Sequence, residues 1–326
     1  MRFEFIPQPG FDFLNAFSEQ FNVPLSGDEL IIPKEMGEGS IRRVQFSAGV
    51  KMIVHHYILK QDFELTRVGT AEPGDLVSVI FHSNETAASL VAGGGPVQLS
   101  GSTDFAVQIA STDLNSDIRF AAHSEVFFTV LGVDRSVLRG LLAIDQPNRT
   151  IETILTAGTG FLFYERMTPD FHKILKQLTL TNQSHDLRHF RDWINVQQLL
   201  YLLFEVLQKR GTAKHNMLHK QDAERLMLVR TAVLSDLSVP PRLAELARMA
   251  GMSETKLKDQ FKQVFGDSIY NYFQKARMEE AAFLLRHSGK SVSEIGYSLG
   301  FVNLSHFSRL FEKMVGLKPK KYASGG

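Results

Sequence analysis

One pattern occurs twice in the C-terminal third of this 326-residue chain, and it constrains the fold more than any other feature. In each copy, apolar residues recur at spacings of three and four, a glycine follows, and a second apolar stripe begins. The first copy comprises Leu243, Leu246, Ala247, Ala250, Gly251, Met252, Leu257, Phe261 and Gly266. The second copy comprises Val292, Ile295, Gly296, Leu299, Gly300, Phe301, Phe307, Phe311 and Gly316. Each copy therefore predicts two short helices joined by a tight turn.

The residues around each turn indicate a helix-turn-helix unit. A glycine after the last apolar residue allows the left-handed backbone that commonly ends a helix. Ser253 in the first copy, and either Asn303 or Ser305 in the second, can cap the following helix through a side-chain oxygen. Ala247 and Gly296 are small residues inside the first helix of each copy, where they allow the two helices to cross closely.

A helix-forming run from Ser268 to Arg286 separates the two copies. The residues expected to face inward are Ile269, Tyr272, Phe273, Ala276, Phe283 and Leu284. Such a helix spans about 28 Å at the standard rise per residue. Successive major grooves on one face of B-DNA recur about every 34 Å. A rigid helix of this length can therefore place two recognition helices in adjacent grooves.

These residues resemble the AraC/XylS family of bacterial transcription regulators. Ser291 to Tyr322 is similar to the C-terminal signature of that family along nearly its full length, and the resemblance extends back to Gln221. It implies sequence-specific binding of double-stranded DNA, a cupin-like sensor domain that binds a small-molecule effector, and a homodimer. It also implies contact with RNA polymerase if the protein is an activator, and neither a catalytic residue nor a cofactor.

The resemblance identifies candidate DNA-contacting residues on the second helix of each copy. They are Thr255, Lys258, Asp259 and Lys262 in the first copy, and Ser305, Ser308, Arg309 and Lys313 in the second. Asp259 departs from the family, where a basic or neutral residue is usual. It either accepts a hydrogen bond from a cytosine amine or forms an ion pair with Lys256 or Lys262. Arg309 can bind a guanine edge or a phosphate.

The segment from Ile41 to about Val133 predicts short strands separated by turns. Strands are expected at Ile41–Ser47, Lys51–Leu59, Leu76–His82, Phe105–Ala110 and Glu125–Gly132. Turns are expected at Ser26–Asp28, Gly37–Ser40, Glu72–Asp75, Gly93–Pro96 and Asn115–Asp117. Many short strands with frequent turns favour a β-sandwich or jelly roll, and the family resemblance implies a cupin-like β-barrel at this place.

Helical periodicity follows the strands, with helices expected from Asp134 to Ala143, from Pro169 through Leu178, and from Asp186 to Arg210. The last two either pack on the barrel of the same chain or form a dimer interface. The predicted fold is a two-domain α+β arrangement. Residues 1–165 form a cupin-like β-barrel or jelly roll that senses a ligand, with helices appended. Residues 166–220 form a helical dimerisation and linker region, and residues 221–326 form an all-α DNA-binding domain with two helix-turn-helix motifs joined by a linker helix.

Charge and composition agree with this division. From Gln221 onward, 16 Lys and Arg against 11 Asp and Glu give +5, and the remaining 20 against 24 give −4, which sum to the net charge of +1. The absence of cysteine excludes disulfides, Cys-ligated zinc and thiol nucleophiles. The sequence contains no apolar run of about 18 residues and no recognisable secretion signal, so we expect no membrane partner and a cytoplasmic location.

Candidate ligand-binding residues in the first half are His55, His56, Tyr57 and His82. Because side chains alternate along a strand, only one of the two adjacent histidines is expected to face the barrel interior. No His-x-His followed by a suitably spaced Glu is present, so we expect no metal. A sugar or an aromatic acid is a possible effector, and the whole-chain layout resembles siderophore-responsive members. The alternative is a cupin-type metal-dependent enzyme with a DNA-binding regulatory domain.

Overall fold

Two β-sheets dominate the first half of the chain in a computed structural model that describes residues 1–8, 10–82, 89–91, 96–98, 106–179, 187–210 and 218–324. The strands are β1 (Arg2–Phe5), β2 (Leu25–Ser26), β3 (Glu29–Ile31), β4 (Gly37–Ser47), β5 (Val50–Leu59), β6 (Phe63–Arg67), β7 (Leu76–His82), β8 (Ser89–Val91), β9 (Pro96–Gln98), β10 (Ala106–Ala110), β11 (Ser116–Phe120), β12 (Glu125–Asp134) and β13 (Leu162–Arg166). One sheet has the strand order β1-β6-β11-β8-β9, and the other has the order β13-β10-β7-β12-β5-β4-β3-β2.

The two sheets enclose an apolar layer. Phe3, Leu65 and Ile118 enter it from the five-stranded sheet, and Tyr57 and Phe128 enter it from the eight-stranded sheet. Alternate residues of each strand point to this layer because successive side chains of a strand point to opposite faces. The first half of the chain is therefore a sandwich of two facing sheets.

Helices cover the outer face of the larger sheet and build a second core. They are α2 (Arg135–Leu142), α3 (Arg149–Leu155), α4 (Pro169–Thr179) and α5 (Arg188–Gln208), whereas α1 (Phe13–Phe21) belongs to the core between the sheets. Phe171 of α4 and Leu203 of α5 pack with Phe81, Ile109 and Leu131 of the sheet. The buried face predicted for the helix at Pro169 is confirmed, and α5 packs on the sheet of its own chain.

The C-terminal third of the described chain is entirely helical. It contains α6 (Lys220–Ser235), α7 (Leu243–Ala250), α8 (Glu254–Phe265), α9 (Ile269–His287), α10 (Val292–Ser298), α11 (Leu304–Val315) and α12 (Pro319–Ala323). The predicted sheet-rich first part and all-helical second part are thus confirmed, whereas the exact domain boundaries stay a prediction. None of the helices in the described ranges is long and apolar enough to span a membrane.

Several local predictions were wrong. The expected turn at Gly37–Ser40 is part of β4, where Gly37 pairs with Leu59 and Gly39 pairs with Tyr57. A Cβ at Gly39 would overlap the backbone of β5, so this glycine permits close strand pairing. The expected turn at Asn115–Asp117 ends at Asn115, because β11 begins at the next residue and pairs with β6.

Other predictions fail at single side chains or concern residues outside the described ranges. Asp134 precedes α2, but its side chain makes no capping hydrogen bond. Phe283, expected to face inward on α9, is 45% exposed. Four predictions lie partly outside the described residues. They are most of the turn at Gly93–Pro96, the start of the strand at Phe105, the start of the helix at Asp186, and most of the linker 211–220.

Candidate nucleic-acid interface

The first helix-turn-helix unit consists of α7 and α8. Gly251 ends α7 in the left-handed conformation at φ 59°, and its N–H donates to the carbonyl groups of Ala247 and Arg248. Ser253 then caps α8, because its hydroxyl oxygen accepts from the backbone N–H of Lys256 at 3.2 Å. Both predictions for this turn are confirmed. The turn fixes how α8 is presented relative to α7.

The second unit consists of α10 and α11 and is capped by Asn303. Its side-chain oxygen accepts from the backbone N–H groups of Ser305 at 2.9 Å and His306 at 3.0 Å. The sequence left Asn303 and Ser305 as alternatives, and the structure selects Asn303. The hydroxyl group of Ser305 is therefore not needed as the cap, and the side chain is exposed on the first turn of α11.

Two glycines of the second unit occupy positions where a side chain would be crowded. A Cβ on Gly296 would lie 2.7 Å from Cδ2 of Leu304, so Gly296 lets α10 and α11 approach closely, as predicted. Gly300 has φ 76°, and a Cβ there would overlap the backbone carbonyl group of Ser238. Gly300 is therefore required both for its left-handed backbone and for contact with the loop that precedes α7.

Helix α9 joins the two units as predicted. Ser268 caps it by accepting from the N–H of Asn271 at 3.2 Å, and its 19 residues correspond to about 28 Å. Arg277 on this helix donates from Nε to the carbonyl oxygen of Leu299 at 3.1 Å, and its guanidinium lies 3.8 Å from the ring centre of Phe301. Burial lowers the pKa of Arg277. This arginine ties the turn of the second unit to the connecting helix.

The structure places the predicted DNA-contacting residues on the surface of α8 and α11. Ser308 is half-buried, and the other seven are exposed, namely Thr255, Lys258, Asp259, Lys262, Ser305, Arg309 and Lys313. Arg309 lies one helical turn beyond Ser305, and its Nε is 3.4 Å from the carbonyl oxygen of that serine. The exposed side chains are thus available to a partner, and their contact with DNA stays a prediction.

The predicted alternative of an ion pair between Asp259 and Lys256 is wrong. The ammonium group of Lys256 instead contacts Asp222 of α6 at 2.9 Å, and Gln260 donates to the same carboxylate at 3.1 Å. Burial raises the pKa of Asp222, but the hydrogen bonds from Lys256 and Gln260 outweigh that effect and the pKa is lowered. Within the described part of the chain, no salt bridge joins Asp259 to Lys262 either.

The candidate ligand-binding residues of β5 divide between its two faces. His55 and Tyr57 are buried in the sandwich, where the imidazole of His55 stacks on Phe128 with ring centres 4.0 Å apart. His56 points outward and its Nε2 lies 3.0 Å from a carboxylate oxygen of Glu125. Burial lowers the pKa of His55 to about 3, so this histidine is neutral at physiological pH.

The fourth candidate, His82, ends β7 and is half-buried. Burial lowers its pKa to about 4, with a smaller effect of Arg230 in the same direction. The structure therefore does not gather the four candidates into one site, because His56 lies on the opposite face of the strand from His55. The described residues contain no group of three or more His, Cys, Asp or Glu side chains that could hold a metal.

A cavity of about 110 Å³ lies between the two sheets. Of the candidates, only His55 lines it, together with Lys51 of β5 and Arg67 of β6. Arg67 was not among the predicted site residues. The available signal was its spacing of two from Phe63 and Leu65, which places an arginine on the same strand face as two apolar residues, although arginine is almost never fully buried unless it is paired.

Strand β13 connects the sandwich with the first helix-turn-helix unit. The ring of Tyr164 stacks on Phe265 at the end of α8, with centres 5.3 Å apart. Arg210 donates from Nε to Glu165 at 2.5 Å and from Nη1 to the carbonyl oxygen of Gln263 at 2.9 Å. The buried apolar cluster is continuous across this junction. Nothing in the sequence analysis predicted this contact.

A family model described as a helix-turn-helix domain matches residues 246–325. The HTH-type transcriptional activator RhaR of Yersinia pestis is 28% identical over 151 residues, which cover 46% of this chain and 50% of that protein. An uncharacterized HTH-type transcriptional regulator of Haemophilus influenzae is 30% identical over 124 residues, which cover 38% of this chain and 41% of that protein. The chain thus spans half or less of the length of these relatives.

Two solved structures are reported as similar, both with low TM-scores. The unsaturated-fatty-acid-bound ToxT of Vibrio cholerae has a TM-score of 0.33 and 14% identity, with 86% of this chain and 96% of that chain covered. A probable AraC family transcriptional regulator of Rhodopseudomonas palustris has a TM-score of 0.29 and 24% identity, with 31% and 94% covered. Residues 246–325, which contain most of both helix-turn-helix units, thus match a helix-turn-helix domain, in agreement with the resemblance to the AraC/XylS family noted from the sequence.

Proposed function

We propose that this protein is a sequence-specific DNA-binding transcription regulator that reads double-stranded DNA with α8 and α11. The observation that carries the proposal is the pair of capped helix-turn-helix units joined by the 19-residue helix α9. Each unit exposes cationic and short polar side chains on its second helix, namely Lys258 and Lys262 on α8 and Ser305 and Arg309 on α11. Such side chains bind phosphates and base edges.

The second element of the proposal is control by a small molecule bound in the sandwich. The cavity between the sheets supports it, as does the packing of β13 against α8 through Tyr164 and Phe265. A ligand changes DNA affinity only by binding the two arrangements of sandwich and helices with different affinity. The contact between Arg210 and α8 is the element whose equilibrium such a ligand would shift.

The third element is a homodimer formed along α5. Four large apolar side chains are exposed here: Leu187, which precedes the helix, at 66%, Phe190 at 61%, Ile194 at 39% and Tyr201 at 65%. Their spacing of three, four and seven residues places them on one side of a helix. The opposite side of α5 is buried on the sheet, so the two uses considered for this helix are compatible. Contact with RNA polymerase is proposed only for the case of an activator.

Selection of DNA from a random library by the full-length protein tests the central proposal. We expect a selected sequence to bind at least about 10³-fold more tightly than a scrambled one at equal salt concentration. Affinity is expected to fall steeply as salt rises, because phosphate binding releases counterions. Equal affinity for both sequences would contradict sequence-specific recognition, and a flat salt response would contradict DNA as the partner.

Analytical ultracentrifugation tests the dimer separately. We expect the wild-type protein to sediment as a dimer and the double variant Phe190→Glu with Tyr201→Glu to sediment as a monomer. Glu205→Lys on the same helix is the charge control. A dimer that persists in the double variant would place the interface elsewhere.

A further inference from the structure

We infer that the cavity between the sheets binds a small organic carboxylate with an apolar body, such as a single-ring or short branched-chain acid. The inference rests on the proposed function, because it names the chemical class of the effector.

Arg67 is the main polar group. It is 5% exposed, and its Nη2 donates to the carbonyl oxygen of Ser111 at 2.8 Å. Its Nε has no hydrogen-bond partner among the described residues. Burial lowers the pKa of Arg67 to about 10, an effect that the nearby Asp113 opposes, so the guanidinium remains charged at neutral pH. A buried cation with an unused donor is costly, and a carboxylate is the group that satisfies it best.

The other charged side chain of the cavity has the same sign as Arg67, and Gln8, Ser78 and Ser116 are uncharged polar groups in the same wall. Lys51 is a second cation in its wall, and the described lining residues include no Asp or Glu. His55 is neutral, and its Nδ1 has no hydrogen-bond partner within the described ranges. The imidazole can therefore donate to or accept from a ligand, depending on its tautomer. An anionic ligand fits this set of groups, whereas an amine would add a third positive charge.

The rest of the wall is apolar and suits a hydrocarbon body. It is formed largely by aromatic and branched side chains, including Phe11, Phe13, Ile53, Leu65, Ile118 and Phe128. A sugar needs a hydrogen-bond partner for each hydroxyl group, because burial of an unpaired hydroxyl is unfavourable. Besides His55, the neutral hydrogen-bonding side chains of this wall are Gln8, Ser78 and Ser116, against a larger number of apolar ones. The apolar surface instead favours a ring or a branched chain.

The size of the cavity limits the ligand further. A dry cavity of about 150 Å³ is known to hold a benzene molecule, and pockets for drug-sized ligands are about 300 to 1,000 Å³. The cavity here is about 110 Å³. It is smaller than that benzene-binding cavity, so it limits the ligand to at most about one ring or a short branched chain, and a siderophore is too large for it.

A second cleft of about 650 Å³, called the outer cleft, adjoins the cavity. The two spaces share Pro7, Gln8 and Lys51 in their walls. Glu72 and Asp75 line the outer cleft and not the inner cavity, so the preference for an anion belongs to the inner space. Lys51 stands where the two spaces meet.

The same arginine is connected to the helical domain. Ser111, which accepts from Arg67, precedes the loop that contains Asn115. Asn115 donates to Glu224 of α6 at 3.1 Å, and its neighbour Leu114 is buried in the cluster shared with the helical domain. A carboxylate bound to Arg67 would therefore act on a segment that contacts α6.

Isothermal titration of the full-length protein with three matched probes tests the inference. The probes are benzoate, its neutral analogue benzamide and the cation benzylamine, with glucose as a neutral sugar. We expect benzoate to bind at least about tenfold more tightly than either analogue, because each analogue lacks the charge that Arg67 requires. Binding of benzamide or benzylamine as tight as that of benzoate would overturn the inference, and so would the absence of benzoate binding.

Variants assign the effect to the arginine. Arg67→Met is expected to lower benzoate affinity at least about tenfold, and Arg67→Lys to restore part of it. Arg119→Met, at an arginine whose side chain is 44% exposed on β11, is the control and should leave affinity unchanged. Unchanged benzoate affinity in folded Arg67→Met would overturn the inference. A DNA-binding assay on the same samples distinguishes failure of the proposed function from failure of the proposed ligand class. Absence of selective DNA binding would contradict the proposed function. A response to glucose alone would contradict only the ligand class.

Discussion

Arg210 and Glu165 form an ion pair, with Nε of the arginine 2.5 Å from a carboxylate oxygen, and both side chains are largely buried. Glu165 lies on β13 of the sandwich, and the same guanidinium also donates to the carbonyl group of Gln263 near the end of α8. One side chain thus joins β13, the end of α5 and α8. We regard it as a main polar contact between the sandwich and the helical third.

Arg210→Met should loosen this contact. Removing one partner of a buried, hydrogen-bonded ion pair costs about 2 to 5 kcal/mol, and we expect the lower end because domain separation would expose Glu165 to water. Urea unfolding monitored by circular dichroism measures the change. Lys209→Met is the control, since Lys209 pairs with Glu205 on the exposed surface and should change stability by less than about 0.5 kcal/mol. Equal stability of the two variants would contradict the role given to Arg210.

Two glycines in equivalent positions of the two helix-turn-helix units should differ in their tolerance of alanine. Gly251 and Gly300 both have positive φ, but a Cβ at Gly251 meets nothing within 4 Å, whereas one at Gly300 would overlap the backbone of Ser238. We expect Gly251→Ala to cost about 1 to 2 kcal/mol for the left-handed conformation alone. Gly300→Ala should cost at least about 1 kcal/mol more. Thermal unfolding of the two variants provides the comparison, and equal losses would mean that the contact with Ser238 is unimportant.

Arg309→Ala should weaken binding to a selected DNA sequence by about 1 to 3 kcal/mol, because Arg309 is exposed on α11 where it can reach a base edge or a phosphate. Fluorescence anisotropy at fixed salt gives the affinities. If Arg309 contacts a guanine, the loss will be specific to the selected sequence; if it contacts a phosphate, the loss will also appear with scrambled DNA. Arg119→Ala on β11 of the five-stranded sheet is the matched control. Wild-type affinity of Arg309→Ala would remove α11 from the reading surface.

His55 should make the protein less stable in acid. Its pKa is lowered to about 3 in the folded protein by burial, whereas an unfolded histidine titrates near about 6.5. Between these values only the unfolded state binds the proton, so the contribution of His55 is complete above about pH 6.5 and is lost as the pH falls. From pH 7 to pH 4.5 we expect wild type to lose about 2 kcal/mol more than His55→Phe, which keeps a ring against Phe128. The measurement is urea unfolding of both proteins at pH 7 and pH 4.5. An equal loss of unfolding free energy in the two proteins would show that His55 is accessible to protons in the folded state.

The two helix-turn-helix units and the helix between them could be predicted, because their signals are local. Gly251 ends α7 and Ser253 caps α8 as predicted, whereas the cap formed by Ser268 and the helices α6 and α12 were not predicted. The prediction that Phe283 faces inward was wrong for a different reason. The apolar stripe of α9 is continued by Ala281 and Leu285, which are buried in place of Phe283.

The sandwich could be predicted only in part, because its partners are distant in sequence. Leu76–His82 was predicted with its observed bounds, since continuous apolar residues and a preceding turn mark it locally. Strands β6 and β13 are short and were missed, and their positions depend on pairing with β1, β11 and β10. The same limitation explains why Arg67 was not recognised, because its surroundings are formed by strands that the sequence analysis did not place.

In the proposed complex, α8 and α11 of one polypeptide read adjacent major grooves. Hydroxyl-radical footprinting of the full-length protein on a selected DNA site shows whether they do, with Lys258→Ala and Arg309→Ala as probes of the two ends. We expect two protected patches on one face of the DNA, about one helical turn apart. Lys258→Ala should weaken one patch and Arg309→Ala the other. A single patch, or two patches that both variants weaken equally, would contradict the claim.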